Sequence, residues 1–175
     1  MATNELFSLA LGLEEPWHVT DFKFDPEKRR LDLTIDFKRG AHFSCPECSK
    51  SNCAVHDTNS RTWRHLDFFQ HQAYLTARVP RIQCPDCGVK QVVVPWARPG
   101  SGFTLLFEIF VLLLSQQMAI APLAELLHVH PDSVWRILGH YVDQAVQDTK
   151  LSELTQVGID EVAQRKGHEY ITVFG

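Results

Sequence analysis

Between residues 17 and 38 apolar and polar positions alternate. Phe22 and Phe24 precede a polar stretch, DPEKRR, and Leu31, Leu33, Ile35 and Phe37 then fall at every second residue. Period two on both sides of a polar turn predicts a β-hairpin with one buried face. The same period returns in YLTARV (74–79), where Leu75, Ala77 and Val79 share one face and Thr76 and Arg78 the other. QVVVPW (91–96) reads as a further short strand closed by Pro95, and ARPGSG (97–102) reads as a Pro/Gly-rich linker. Beyond it the period changes to 3.6. A helix is predicted from Phe103 to Met118, a second opening at Pro122 over PLAELL, and a third from Pro131 to Gln147. Two strand-like runs around a polar turn close the chain, in VGIDEVAQRKGHEYITVFG (157–175). The expected fold class is α+β.

Composition narrows this picture in two ways. Of the 175 residues 45% are hydrophobic and 22% charged, the balance of a globular chain and not of a disordered one. Net charge is −4, but it is unevenly spread: residues 61–100 hold six Lys/Arg against two Asp/Glu, between two acidic flanks. A basic middle segment of this kind is how a localised polyanion contact presents itself. Arg61, Arg64, Arg78, Arg81, Lys90 and Arg98 are therefore candidate phosphate contacts. The longest apolar run, FTLLFEIFVLLL (103–114), is too short to span a bilayer and carries Glu108, so it reads as a buried helix and no membrane partner is expected.

The five cysteines come without an export signal, which points to the cytoplasm and to metal or thiol chemistry. Cys45 and Cys48 in CPEC, with Cys84 and Cys87 in CPDC, form a C-x2-C … C-x2-C set. Two intervening residues let the backbone turn so that both sulfurs face one ion, and two such knuckles supply the thiolates of a tetrahedral structural Zn2+ site. The 35 residues between the pairs must then fold as strands returning to the site, as in a zinc ribbon. A redox dithiol or plain buried cysteines are the alternatives, and neither accounts for two matched pairs. Cys53 is left over and is expected to be a small buried side chain.

PLAELLHVHPDSVWRILGHYV (122–142) has the layout of a helix-turn-helix. Ala124 is small where the helices would cross, Leu127 and Val129 flank the turn, and Val134 and Ile137 anchor the second helix. In a DNA reader the start of that helix enters the major groove, so Asp132, Ser133 and Arg136 are expected to point outward. Arg136 is the best placed of these for a guanine edge. His128 stands where the turn often has Gly, and His130 at the N-cap. A plain helical hairpin has the same pattern. Trp63, Trp96 and Trp135 are expected in the core or in an interface.

Several of these stretches resemble ISL-three family bacterial insertion-sequence transposases. RTWRHLDFFQHQAYLTARVPRIQCPDCGVKQVVVPWARPGSGFT (61–104) is similar to their zinc-ribbon region, as is CPECSKSNCAVHD (45–57). GIDEVAQRKGHEYITV (158–173) resembles the start of their catalytic domain. The resemblance implies an N-terminal β-hairpin region (1–40), a zinc ribbon (41–96), a three-helix helix-turn-helix region (97–150) and the first hairpin of a ribonuclease-H-like domain (151–175). It also implies that Asp160 is the first of three carboxylates that bind two divalent metals, Mg2+ in the full-length family context. Glu161 alternates to the other strand face. Full-length members are much longer, and their second Asp and catalytic Glu would lie past residue 175. The resemblance therefore implies a C-terminally truncated member without nicking or strand-transfer activity of its own. Its terminal hairpin, without the rest of its sheet, is expected to be only marginally stable.

The function expected on these grounds is recognition of double-stranded DNA at transposon terminal inverted repeats. A homo-oligomer, or a hetero-oligomer with intact transposase, is a further implied partner. A stand-alone zinc-ribbon/helix-turn-helix regulator is the alternative, and an interaction module that dimerises through the 103–118 helix is a third reading.

Overall fold

The computed structural model describes residues 3–148 and the backbone of 159–163 and 170–174. The chain forms two compact units, Met1–Ala119 and Ile120–Gly175. The first opens with helix α1 (Thr3–Ala10), followed by strands β1 (Trp17–Asp25), β2 (Arg30–Phe37), β3 (His42–Phe43), β4 (Cys53–Arg64), β5 (Gln72–Cys84) and β6 (Gly88–Gln91), then helix α2 (Leu105–Ser115). The second holds α3 (Ile120–Leu127), α4 (Pro131–Asp148), β7 (Ile159–Ala163) and β8 (Tyr170–Phe174).

The alternation at 17–38 folds as expected. β1 and β2 pair antiparallel, and Leu31, Leu33 and Ile35 are buried along one face. One six-stranded sheet, in the order β1-β2-β5-β4-β3 with β6 beside β5, contains both this hairpin and the cysteine-bearing strands. Residues 1–40 thus share a sheet with residues 41–96. The link is a parallel pairing that puts Leu33 beside Leu75 and Ile35 beside Ala77. β5 is the spine of the sheet. Its first half pairs with β2 and its last four residues pair with β6. Pro80, which has no N–H to give a ladder, sits between those two segments, and its carbonyl accepts from the Val92 N–H at 3.0 Å.

Trp17 and Trp63 fill the core face, each edge-on to Trp96 at ring distances of 5.0 and 5.7 Å. The Trp96 Nε1 is buried without a hydrogen-bond partner. Trp135, by contrast, is exposed.

Two expectations around residues 91–104 are corrected. Residues 92–96 are not a strand: Val92, Val94 and Trp96 are buried and Val93 exposed, but beyond Gln91 no ladder pairs them. Pro95 cannot donate, so the segment keeps the alternation without the sheet. Nor is 97–102 a loose linker. Gly102 O accepts from Arg64 N at 2.9 Å, Thr104 N donates to Arg64 O at 3.0 Å, and Leu105 N donates to Trp96 O at 2.8 Å. Thr104 then caps α2, its hydroxyl oxygen accepting from Phe107 N.

His65 belongs to the same clasp, with its Nδ1 2.9 Å from the Thr104 hydroxyl. Burial, with the Arg64 guanidinium adding to it, pulls the imidazole down to about 4. An unfolded histidine titrates near ~6.5, so below that pH the unfolded chain binds a proton that the folded one refuses. Stability from this group is complete above the unfolded value and is lost as pH falls toward the folded one. Urea titrations at pH 7.5 and 5.5 are expected to show roughly 1 kcal/mol of acid destabilisation that His65→Gln abolishes. Equal pH dependence in the two proteins would contradict the buried neutral imidazole.

In the second unit β7 and β8 pair antiparallel, with Asp160 opposite Val173. The expectations for 149–158 and 164–169 lie outside the described residues. A two-stranded hairpin does not by itself define a ribonuclease-H-like fold.

Candidate metal centre and nucleic-acid interface

The first knuckle lies between β3 and β4, and the second is the turn joining β5 to β6. Cys45 N donates to Lys50 O and Ser49 N donates to Cys45 O, both at 2.9 Å, which curls the CPEC segment around its own sulfurs. Cys84 ends β5 opposite Gly88, whose φ of 74° reverses the chain after Cys87. The four sulfurs of Cys45, Cys48, Cys84 and Cys87 lie within 4.8 Å of one another, and those of Cys48 and Cys84 are 3.6 Å apart. Tetrahedral thiolates at Zn–S of about 2.3 Å stand roughly 3.8 Å apart, so the cluster fits that ion closely.

The four sulfurs also act on one another electrostatically. Burial pushes the Cys84 thiol up, but the backbone N–H groups of Asp86 and Cys87 and the neighbouring sulfurs bring it down to about 7. Cys87, sharing its proton with Cys48 and partly buried, is pushed up to about 12. One thiolate makes the next harder to form, a conflict that a divalent cation resolves. Cys53 stays outside the set. It is buried, its Sγ donates to Lys50 O at 3.4 Å, and burial followed by the nearby Cys84 holds its thiol up.

Charge flanks the centre reciprocally. Lys50 of the first knuckle pairs with Asp86 of the second at 3.0 Å, and Lys90 beside the second pairs with Glu47 of the first at 2.6 Å. Lys90, expected on a phosphate, thus braces one knuckle against the other.

Most of the other cations in the basic segment are similarly engaged. Arg78 pairs with Asp36 at 3.1 Å across the parallel β2–β5 junction. Arg81 clasps Asp57, its register partner on β4, through Nε at 2.6 Å and Nη2. Arg64 and Arg98 are not surface cations at all. Arg64 is 6% exposed and directs its guanidinium at the carbonyls of His65 and Ala73 and the carboxylate of Asp67. Arg98 donates to Glu108, which is fully buried in α2. Arg61, lying over the Trp63 ring at 5.7 Å, has no carboxylate partner among the described residues. It is the member of the six best able to meet a phosphate.

α3 and α4 pack through Leu123, Ala124, Leu127, Val134 and Ile137, all buried. The turn between them is built as the sequence suggested. His128 takes φ 54°, Val129 N donates to Ala124 O at 3.0 Å and His128 N donates to Glu125 O at 3.1 Å. These two bonds form a Schellman stop, with histidine where glycine is usual. His130 caps α4, its Nδ1 accepting from Asp132 N at 3.2 Å. Asp132 and Arg136 are exposed. Ser133 does not point outward: it is 9% exposed, because it lies one helical turn from Ile137 on the packed face. Its hydroxyl instead accepts from Arg136 Nη2 at 3.1 Å. Asp160 lies on β7, and its side chain is outside what is described.

The described residues thus hold two parts, a cluster of four cysteine sulfurs and a helix pair joined by a capped turn. Residues 41–87 match the zinc-finger of transposase IS204/IS1001/IS1096/IS1165, and residues 92–142 match the helix-turn-helix domain of transposase family ISL3. The chain carries the zinc-ribbon and helix-turn-helix domains of the ISL3 transposase family. It is 28% identical over 183 aligned positions to the transposase for insertion sequence element IS1557 of Mycobacterium tuberculosis, in two strains. That alignment takes in 99% of this chain and 40% of the relative, so the chain spans well under half the length of these curated relatives. No solved structure matches it. Both domain matches are to transposases, and nothing here favours a free-standing regulator. No helix among the described residues is long and apolar enough to cross a membrane.

Proposed function

We propose that this chain is the DNA-recognition part of an insertion-sequence transposase and binds the terminal inverted repeats of its element. The observation that carries this is the coincidence of the family helix-turn-helix match at 92–142 with a capped α3–α4 pair that leaves Arg136 exposed at the start of α4. Arg136 is proposed to reach a base edge, Asp132 to lie beside it, and Arg61 to meet backbone phosphate. Cys45, Cys48, Cys84 and Cys87 hold structural Zn2+ in this reading, and the protein works in the bacterial cytoplasm. Asp160 serves as the first catalytic carboxylate of a ribonuclease-H-like domain that uses Mg2+. Its partners there, and an oligomer with further transposase copies, belong to the full-length context.

The test is a gel shift on a duplex of the element's terminal repeat against a scrambled duplex, across a salt series. Binding is expected to favour the repeat and to weaken steeply with salt. Arg136→Ala should cost about 10-fold on the repeat and little on the scrambled duplex, in line with ~1–3 kcal/mol per base contact. Equal affinity for both duplexes at moderate salt would refute end recognition.

A further inference from the structure

The turn between β4 and β5 is built around an aromatic that folding does not use. Phe68 and His71 face each other as an isolated bridge, with Phe68 N donating to His71 O at 2.8 Å and His71 N donating to Phe68 O at 3.0 Å. Phe69 and Gln70 form the two-residue tip. Phe69 has φ 53° and Gln70 does not take a positive φ. Positive φ at the first central residue alone is the pattern of a type II′ hairpin turn, whose preferred residue there is glycine. A bulky side chain in that conformation is strained, and this one is 81% exposed. Strain and exposure both oppose folding, so the ring's presence at the tip points to a use outside the fold.

The tip is backed by other rings. Phe69 meets Phe68 edge-on at 4.9 Å, Phe68 packs on Phe24 at 6.0 Å and on the buried Phe7 at 5.7 Å, and Phe24 meets His71 at 5.3 Å. The β1–β2 turn lies alongside, since Gln72 N donates to Arg29 O at 2.8 Å. Arg29 is exposed, also at positive φ, with no carboxylate partner among the described residues, whereas Lys28 before it pairs with Asp25 at 3.5 Å. An exposed ring at a hairpin tip, with the unpaired Arg29 on the neighbouring turn, is the chemistry of a wedge for duplex DNA. The ring enters a base step while the guanidinium holds an adjoining phosphate. A protein partner fits less well, because stable interfaces bury about 800 Å² per side and a single protruding tip offers far less.

We propose that Phe69 is a stacking wedge that unstacks a base step of the bound DNA duplex, with Phe68 as its backing and Arg29 as a phosphate contact. This rests on the reading of the chain as a DNA-binding protein. The experiment compares wild type, Phe69→Gly and Phe69→Leu on terminal-repeat duplexes carrying 2-aminopurine at successive positions, with affinity, thermal stability and sedimentation measured in parallel. Phe69→Gly relieves the turn, so it should fold at least as stably as wild type, and loss of binding could not then be ascribed to misfolding. Wild type should brighten 2-aminopurine at one step. Phe69→Gly should abolish that signal and weaken binding about 10-fold, the size of one base–aromatic stack, with Phe69→Leu in between. Wild-type protein that binds no duplex would sink the functional reading itself. Wild-type binding with unchanged affinity and fluorescence in Phe69→Gly would overturn the wedge alone. A change of oligomeric state in Phe69→Gly, with DNA binding intact, would overturn it in favour of a contact between copies.

Discussion

Removing the metal at neutral pH with a strong chelator is expected to unfold far more than the two knuckles. Cys45 and Cys84 are themselves buried members of the core cluster that includes Trp17, Phe43 and Ile82. Cys84 ends β5, the strand that pairs with β2, β4 and β6. Releasing it frees the end of the spine and leaves four crowded thiols to share protons. Zinc ligation in small domains is worth about 10–16 kcal/mol near neutral pH, as large as the whole ~5–15 kcal/mol by which a domain is stable. The Met1–Ala119 unit should therefore lose its cooperative thermal transition, followed by fluorescence of Trp17, Trp63 and Trp96. One zinc per chain should be released, and readdition should restore the transition. Cys84→Ser should behave like the chelated protein. Cys53→Ser is the control, and it should cost only the ~1–3 kcal/mol of burying a hydroxyl while retaining the full zinc content. A chelated chain that melts like the untreated one, or a Cys53→Ser protein that loses zinc, would show the ligand set to be wrong.

The local features of this fold were legible because they depend on neighbours in sequence. Leu31, Leu33 and Ile35 announce a strand by spacing, and two C-x2-C pairs announce a metal by the geometry of a turn. His128 and His130 could be placed at the stop and cap of the helix pair because those positions are defined by the helices around them. What could not be read was set by pairing across the sheet. The parallel β2–β5 junction brings Asp36 to Arg78, and the β4–β5 register brings Asp57 to Arg81. A basic segment in sequence thus becomes a largely neutralised one in space, fed by carboxylates from an acidic flank. The aromatic tip at Phe69 is illegible in the sequence for a different reason. A Phe-Phe pair between two strands reads as core until the turn places one ring at its apex.

The mixed character of residues 97–104 shows the same limit from the other side. Proline and glycine there marked a linker, yet the segment is held by hydrogen bonds to Arg64 and by its own contacts to α2. One signal was available. Glu108 stands in the middle of an apolar helix, and a carboxylate buried there needs a cation close by. Arg98 is the nearest cation in the sequence, and a basic segment hides that internal role.

Arg98→Ala is consequently expected to act on stability and not on DNA affinity. The Arg98 Nε donates to Glu108 Oε2 at 2.9 Å, and the Ser101 hydroxyl donates to Glu108 Oε1 at 2.6 Å. With Glu108 fully buried, removing the guanidinium strands a carboxylate whose charge has been matched in a dry environment. Breaking one side of a buried pair costs about 3–5 kcal/mol, whereas exchanging both sides for apolar groups of similar volume is often neutral. Urea denaturation should accordingly show Arg98→Ala destabilised by about that amount, and Arg98→Met with Glu108→Leu restored to within ~1 kcal/mol of wild type. The double substitution separates the two roles that Arg98 could have. It removes the cation while sparing the fold, so binding to a terminal-repeat duplex should be unchanged, with the same salt slope. A folded double variant whose salt slope falls by about one unit would return Arg98 to the phosphate contacts.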